Sequence, residues 1–183
     1  MKTLMFTLLV TGVAFASEYS LSIFINDEVV PWQTEADKTD TGFMTGEATL
    51  KVQFEGGWLE LNLADWDTFD YAHILATDLR LSSSSTYTFS ATVHHNDQGW
   101  DNYADAFEVK GDKVENGLRV LMHPHDNEQP FTRSQSNVEA SGLVWLEAKD
   151  NVEGLGGSKI YLNLNELTIT ERFSIRYELE HLP

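Results

Sequence analysis

The chain reads as an all-β protein built as an antiparallel sandwich, and three observations lead there. Apolar and polar residues alternate with a period of two in segment after segment, helical signals are scarce, and turn residues punctuate the chain at short intervals. "YSLSIFI" (19–25) and "ATLKVQF" (48–54) alternate. "EGG" then breaks the chain before "WLELNL" (58–63), so these two segments read as a hairpin with Leu59, Leu61 and Leu63 on one face. "ADWDTFDYAHILATDLRLSSSS" (64–85) has no clean period and reads as a loop with a short helix or strand, ended by a serine-rich breaker.

From Thr86 the pattern strengthens. In "TYTFSATVHH" the residues Tyr87, Phe89, Ala91, Val93 and His95 share a face. "AFEVKG" and "GLRVLMH" follow around a turn at 112–116, then "SGLVWLEAKD", a glycine-rich turn "NVEGLGG" and "SKIYLNL". "RFSIRYEL" closes the series, with Phe173, Ile175, Tyr177 and Leu179 on one side. Strands at this spacing predict an immunoglobulin-like antiparallel β-sandwich over 86–183, with residues 17–85 as an N-terminal β extension or part of the same sandwich. A split near Ser82–Ser85 would leave two small parts, so one domain is the expected organisation.

The opening "MKTLMFTLLVTGVAFASEYS" has one lysine, an apolar run from Leu4 to Phe15, and Ala14-Phe15-Ala16 before Ser17. That layout predicts a secretory signal peptide over 1–16 and a periplasmic or extracellular mature chain. No other apolar run approaches the length of a membrane span, so membrane insertion is not expected. The chain has no cysteine, which removes thiol catalysis, iron–sulfur clusters, blue-copper centres and a cysteine-linked lipid from consideration. A formal net charge of −17 repels nucleic acid and favours cations or basic partners, and the same charge also serves solubility.

The unusual polar residues collect in two loops, "HHNDQGWDNYAD" (94–105) and "HPHDNEQPFTRS" (123–134), the second placed between strands ending near His123 and beginning near Gly142. Ends of alternate strands share a rim, which allows the two loops to converge. His123 and His125 are two apart, so on extended backbone their side chains share a face with Cα atoms roughly 6.5 Å apart, and Pro124 stiffens the link. His95, which continues the inward face of its strand, is the third candidate nitrogen ligand, with Asp101 as an oxygen donor. Asp97, Asp105, Asp126 and Glu128 supply further carboxylates. Three imidazoles with a carboxylate or water suit copper(II), zinc or iron(II). Met122 alternates away from this face.

A different reading of the same loops makes the histidines scaffolding and gives contact with a protein or carbohydrate partner to Trp100, Tyr103 and Phe131. An enzyme ranks third, because Ser134 lacks a glycine-flanked setting and nothing in the sequence orients a triad. His73 and His181 lie outside both loops and read as surface or packing residues.

"HHNDQGWDNYADAFEV" followed by "RVLMHPHDNEQPFTRS" resembles a family of small exported bacterial proteins of uncharacterised role, over about Val93 to Gly157. By position, the resemblance implies that His95, Asp97, Trp100, Asp101, Tyr103, Asp105, Arg119, His123, His125, Glu128 and Arg133 form one signature. In that family position 94 is often arginine and position 102 often histidine. Here they are His94 and Asn102, which favours His95 over His94. The strand order also looks similar to the immunoglobulin-like subunit of bacterial thiosulfate-oxidation carriers, a likeness of fold that carries no function.

Overall fold

A computed structural model describes residues 7–9, 18–34 and 49–181. Fifteen strands make up its regular structure. They are β1 (Thr7–Leu9), β2 (Glu18–Ile25), β3 (Glu28–Val30), β4 (Gln33–Thr34), β5 (Thr49–Phe54), β6 (Gly57–Asn62), β7 (His73–Ser83) and β8 (Thr86–His94), followed by β9 (Ala104–Gly111), β10 (Val114–Glu115), β11 (Leu118–Val120), β12 (Phe131–Ala140), β13 (Leu143–Asp150), β14 (Lys159–Asn163) and β15 (Arg172–His181). They form two antiparallel sheets. One runs β1-β2-β15-β7-β8-β12-β10, with β3 also on β2, and the other runs β11-β9-β13-β14-β6-β5-β4.

The two-residue alternation becomes burial. Along β8 every second residue, Tyr87, Phe89, Ala91 and Val93, is buried, and His95 just beyond continues the series at 0% exposure. Leu59 and Leu61 of β6 and Phe173, Ile175, Tyr177 and Leu179 of β15 do the same from other parts of the molecule. The β5–β6 hairpin closes through Glu55-Gly56, with Phe54 opposite Gly57 and Gly56 at φ +88°, where a side chain is disfavoured.

Strands from the front and rear of the chain pair directly, β2 with β15, β15 with β7 and β6 with β14. Of residues 1–16, expected from the sequence as a signal peptide, only β1 is described, as a three-residue strand beside β2; the remainder lies outside the described residues.

Two segments differ from the sequence expectation. Residues 73–83, expected as loop with a short element, form the long strand β7 between β15 and β8. A bulge between Ile74 and Ala76 shifts its register and resets the alternation, which hid the strand's period. The serine run ends in a tight turn, with Ser83 opposite Thr86. Residues 131–140, assigned partly to a loop reaching Gly142, form β12. Its outward residues Thr132, Ser134 and Ser136 are polar and pair with Thr92, Ser90 and Thr88 hydroxyl to hydroxyl, so the strand carries little apolar signal.

Phe89 lies at 0% exposure in the middle of the sandwich. Phe89→Ala is expected to remove about 3–5 kcal/mol of stability, read from the midpoint shift in urea unfolding at unchanged slope.

Candidate functional site

The loop 95–103 carries the chain from β8 in one sheet to β9 in the other, and the loop 121–130 returns it from β11 to β12. Val93 at the end of β8 is opposite Phe131 at the start of β12, and Ala106 near the start of β9 is opposite Val120 at the end of β11. Both crossings therefore occupy the same rim.

Asp97 joins them. Its side chain is fully buried, and it accepts hydrogen bonds from His95 Nδ1 at 2.7 Å and the Ala104 amide at 3.1 Å through Oδ1, and from the His125 amide at 2.6 Å through Oδ2. The His95 amide donates to Gln129 Oε1 at 3.2 Å, and the Gly99 amide donates to Asp126 Oδ1 at 2.8 Å. Asn151 adds a two-way bond to Tyr103, its amide to the Tyr103 carbonyl and its Oδ1 receiving the Tyr103 amide.

The other nitrogen of His95, Nε2, faces the Asp70 carbonyl at 3.0 Å. A carbonyl and an ionised carboxylate only accept, so both ring nitrogens must donate and the ring is an imidazolium. Burial opposes that charge, but the Asp97 hydrogen bond and charge, the charge of Asp150 and the Asp70 carbonyl outweigh it and raise the His95 pKa. Burial would likewise raise Asp97, yet its bonds from His95, His125 and Ala104 hold it below the ordinary carboxylate value.

His125 stacks on Phe131 with ring centroids 3.7 Å apart and planes 10° apart. Its Nδ1 is buried without a hydrogen bond, 3.9 Å from Asp97 Oδ2. Burial, with the charges of Arg133 and His123, lowers its pKa. His123 is exposed, donates Nδ1 to the Pro124 carbonyl at 2.9 Å, and lies 4.6 Å from His125 between ring centroids. His94 points the other way from His95 and stacks on Phe69 at 3.8 Å, its pKa lowered by burial and by the charges of His73 and His95.

The remaining expected residues spread over the rim. Trp100 is 67% exposed and meets Tyr103 edge to face. Asp101 lends its backbone carbonyl to Asn151 Nδ2, Asp105 pairs with Lys149 at 2.8 Å, and Glu128 pairs with Arg133 at 2.8 Å. Arg119, on β11, has a buried Nε without a hydrogen-bond partner. Among the described residues no group of three or more His, Asp or Glu side chains is placed to hold a metal ion.

Two buried groups had no signal of function in the sequence. Asp65 accepts from the Thr68 hydroxyl and Asp70 amide at Oδ1, and from the Tyr71 amide and His73 Nε2 at Oδ2. Burial would raise its pKa, and these bonds, His73 foremost, lower it. His73 Nδ1 in turn takes the Ser158 hydroxyl at 2.9 Å and the Ser158 amide at 3.2 Å. An Asp–His–Ser line results, but His73 and Ser158 are both at 0% exposure and Ser158 Oγ already accepts the Asn62 amide. It ties the 65–71 turn to β14 rather than exposing a nucleophile. The Asx turn at Asp65-Trp66-Asp67-Thr68 was its only trace in sequence. Asp150, also fully buried, gathers the amides of Val152, Glu153 and Gly154 on Oδ1.

No family model matches the chain, and no solved structure matches it. A protein of Halomicrobium mukohataei described as a "Putative lipoprotein" is 30% identical over 136 residues, covering 69% of this chain; the chain covers 65% of that protein's length.

Asp97→Asn leaves the His95 cation buried without its counter-charge and is expected to cost roughly 3–5 kcal/mol in chemical unfolding. In the native protein the pair also sets a pH window. Because the His95 pKa is raised above 6.5, its contribution is full below that value and is lost as pH rises through the native pKa. The Asp97 pKa is lowered below 3.8, so its contribution is present above that value and lost as pH falls through the native pKa. Unfolding midpoints followed from about pH 5 to pH 9 should fall on the alkaline side, and His95→Gln should flatten that fall.

Proposed function

We propose that this protein is an exported, non-catalytic protein-interaction module whose acidic rim, with Trp100 at its surface, receives a basic segment of a partner protein. The observation that carries the reading is the inward commitment of His95 and His125. His95 spends both ring nitrogens as donors inside the protein, and His125 is stacked on Phe131 while its amide is held by Asp97. A doubly donating imidazolium has no lone pair for a metal. What the histidines do instead is hold two loops still, so that Trp100 stands 67% exposed on a fixed backbone. An exposed tryptophan on a rigid support is a common energetic centre of protein interfaces. Asp101 and Asp126 flank it in the same loops, and the chain's −17 charge adds long-range attraction for a basic partner.

The immunoglobulin-like classification of the sandwich over 86–183 belongs to this proposal, supported by its loops crossing between two antiparallel sheets. So does membership of the small exported family, supported by the way its motif residues meet at one rim. Export is supported by the leader-like pattern of 1–16 and by the lipoprotein description of the Halomicrobium relative.

A second reading keeps a transition metal, copper or zinc, on His123 and His125. It rests on their 4.6 Å ring separation and on His125 Nδ1, which has no hydrogen-bond partner.

Titration of a lysine-rich peptide, followed by tryptophan fluorescence, tests the first reading. Binding should weaken with salt and fall at least about tenfold in Trp100→Ala, with neutral oligosaccharides giving no signal; unchanged affinity in Trp100→Ala rejects the rim as the contact. The metal reading expects copper(II) or zinc to raise thermal stability in the native chain and not in His123→Ala.

A further inference from the structure

The rim continues into an edge strand whose outer side pairs with no described strand. β11 ends its sheet, pairing only with β9 among the described residues. The Val109 amide donates to the Gly117 carbonyl at 3.0 Å and the Leu121 amide donates to the Asp105 carbonyl at 2.8 Å. Antiparallel ladders bond alternate residues, so Gly117, Arg119 and Leu121 face β9. The amides and carbonyls of Leu118 and Val120 therefore point off the sheet, and no described residue bonds to them. The side chains on the outer face are apolar and open, Leu118 and Val120 at 51% and Met122 at 75% exposure.

The neighbouring edge is treated differently. β12 is bordered by β10 only at Glu139 and Ala140. Along its open part, Arg133 Nη1 caps the Thr132 carbonyl at 2.9 Å, and Asn116 Nδ2 caps the Ser136 and Asn137 carbonyls at 3.2 and 3.1 Å. Edge strands are normally blunted by polar side chains, charges or proline because bare ones recruit other chains. Of these two neighbouring edges, one is blunted by its own side chains, and the other, beside the rim, is bare and apolar among the described residues.

We propose that β11 is a strand-addition site, and that the partner pairs an extended segment with Leu118–Val120, apolar at alternate positions and flanked by lysine or arginine. Backbone groups of Leu118 and Val120 supply the ladder, and the outer-face side chains supply alternating apolar contacts. Charge selects the occupant. A second copy would bring −17 against −17, whereas a basic segment is attracted to the acidic chain as a whole. The end of β11 lies at the rim that carries Trp100, so this inference deepens the proposed protein-interaction role and rests on it for the identity of the partner.

The probe is a fluorescein-labelled nine-residue peptide of alternating valine and threonine with two lysines at each end, added to the full chain. Its binding should slow amide exchange at Leu118 and Val120 by about tenfold or more, measured on the native protein so that no variant need fold. A peptide with prolines replacing the threonines should not bind, and Val120→Pro, which removes an outward amide while leaving the bonds to β9, should abolish binding. Absence of peptide binding, binding without protection of Leu118 and Val120, or a dimer in sedimentation whose exchange is slowed at β11 would each overturn strand addition. Trp100→Ala separates the two readings. If it abolishes binding while the β11 amides never become protected, the rim reading stands and strand addition falls; if the amides are protected and Trp100→Ala changes nothing, strand addition stands and the rim reading falls.

Discussion

The buried carboxylate of Asp97 is the constraint on which the rim depends. It sits at zero exposure against an imidazolium that is itself at zero exposure, and its two oxygens take donors from three places in the chain. Burying two charges carries a desolvation penalty that their attraction only partly offsets, so such a pair is a poor source of stability compared with apolar side chains of the same volume. Its effect is geometric. With Oδ1 shared between His95 and Ala104 and Oδ2 on the His125 amide, the crossing out of one sheet and the crossing back are held in a single arrangement. His95 then extends the network with its other nitrogen, which fixes the Asp70 carbonyl and so the turn that Asp65 organises.

This turn is the second level of the same construction. Asp65 fills its oxygens with the amides of Asp70 and Tyr71, the Thr68 hydroxyl and His73, and His73 passes the connection to Ser158 just before β14. Two aspartate–histidine pairs thus run through one end of the sandwich, joined at Asp70. The residues are those of hydrolytic triads, but what decides their role is access. A serine hydroxyl sealed between sheets, already accepting an amide, has no room for a carbonyl substrate.

Most of the fold was legible because burial in a half-exposed antiparallel strand writes itself as alternation, and β5, β6, β8, β13, β14 and β15 all carry that mark. β7 was hidden by its bulge, and β12 by facing solvent with a row of hydroxyls. The rim was legible as a place. The spacing of the histidines and the signature-like loops pointed to one end of the sandwich, and His95 was correctly set on the inward face of its strand. What the inward position meant was not legible. Facing inward brought His95 against Asp97 and the Asp70 carbonyl, two acceptors, and the second of them is a backbone group that no side-chain pattern records. Asp65 and Asp150 were missed for a related reason. Their partners are mostly backbone amides of their own turns, and an aspartate in a turn is too common to single out.

Fixing a rim and leaving an edge bare are opposite uses of polar groups. At the rim, the buried Asp97 carboxylate is bonded at both oxygens and ties the two loops together, which lowers the ordering cost that any partner must meet on binding there. At β11, backbone groups remain unsatisfied at the surface, where water can serve them until another strand does. A partner meeting a rigid rim and an open ladder side by side gains directional hydrogen bonds without first having to order the surface that offers them. The edge alone is short, with only Leu118 and Val120 presenting outward groups, and would hold a strand weakly. In the proposed role, joined to an exposed tryptophan on a fixed loop and to a strongly acidic surface, it is one part of a composite contact in which charge brings the partner in, the ladder sets its direction, and Trp100 supplies the central apolar area.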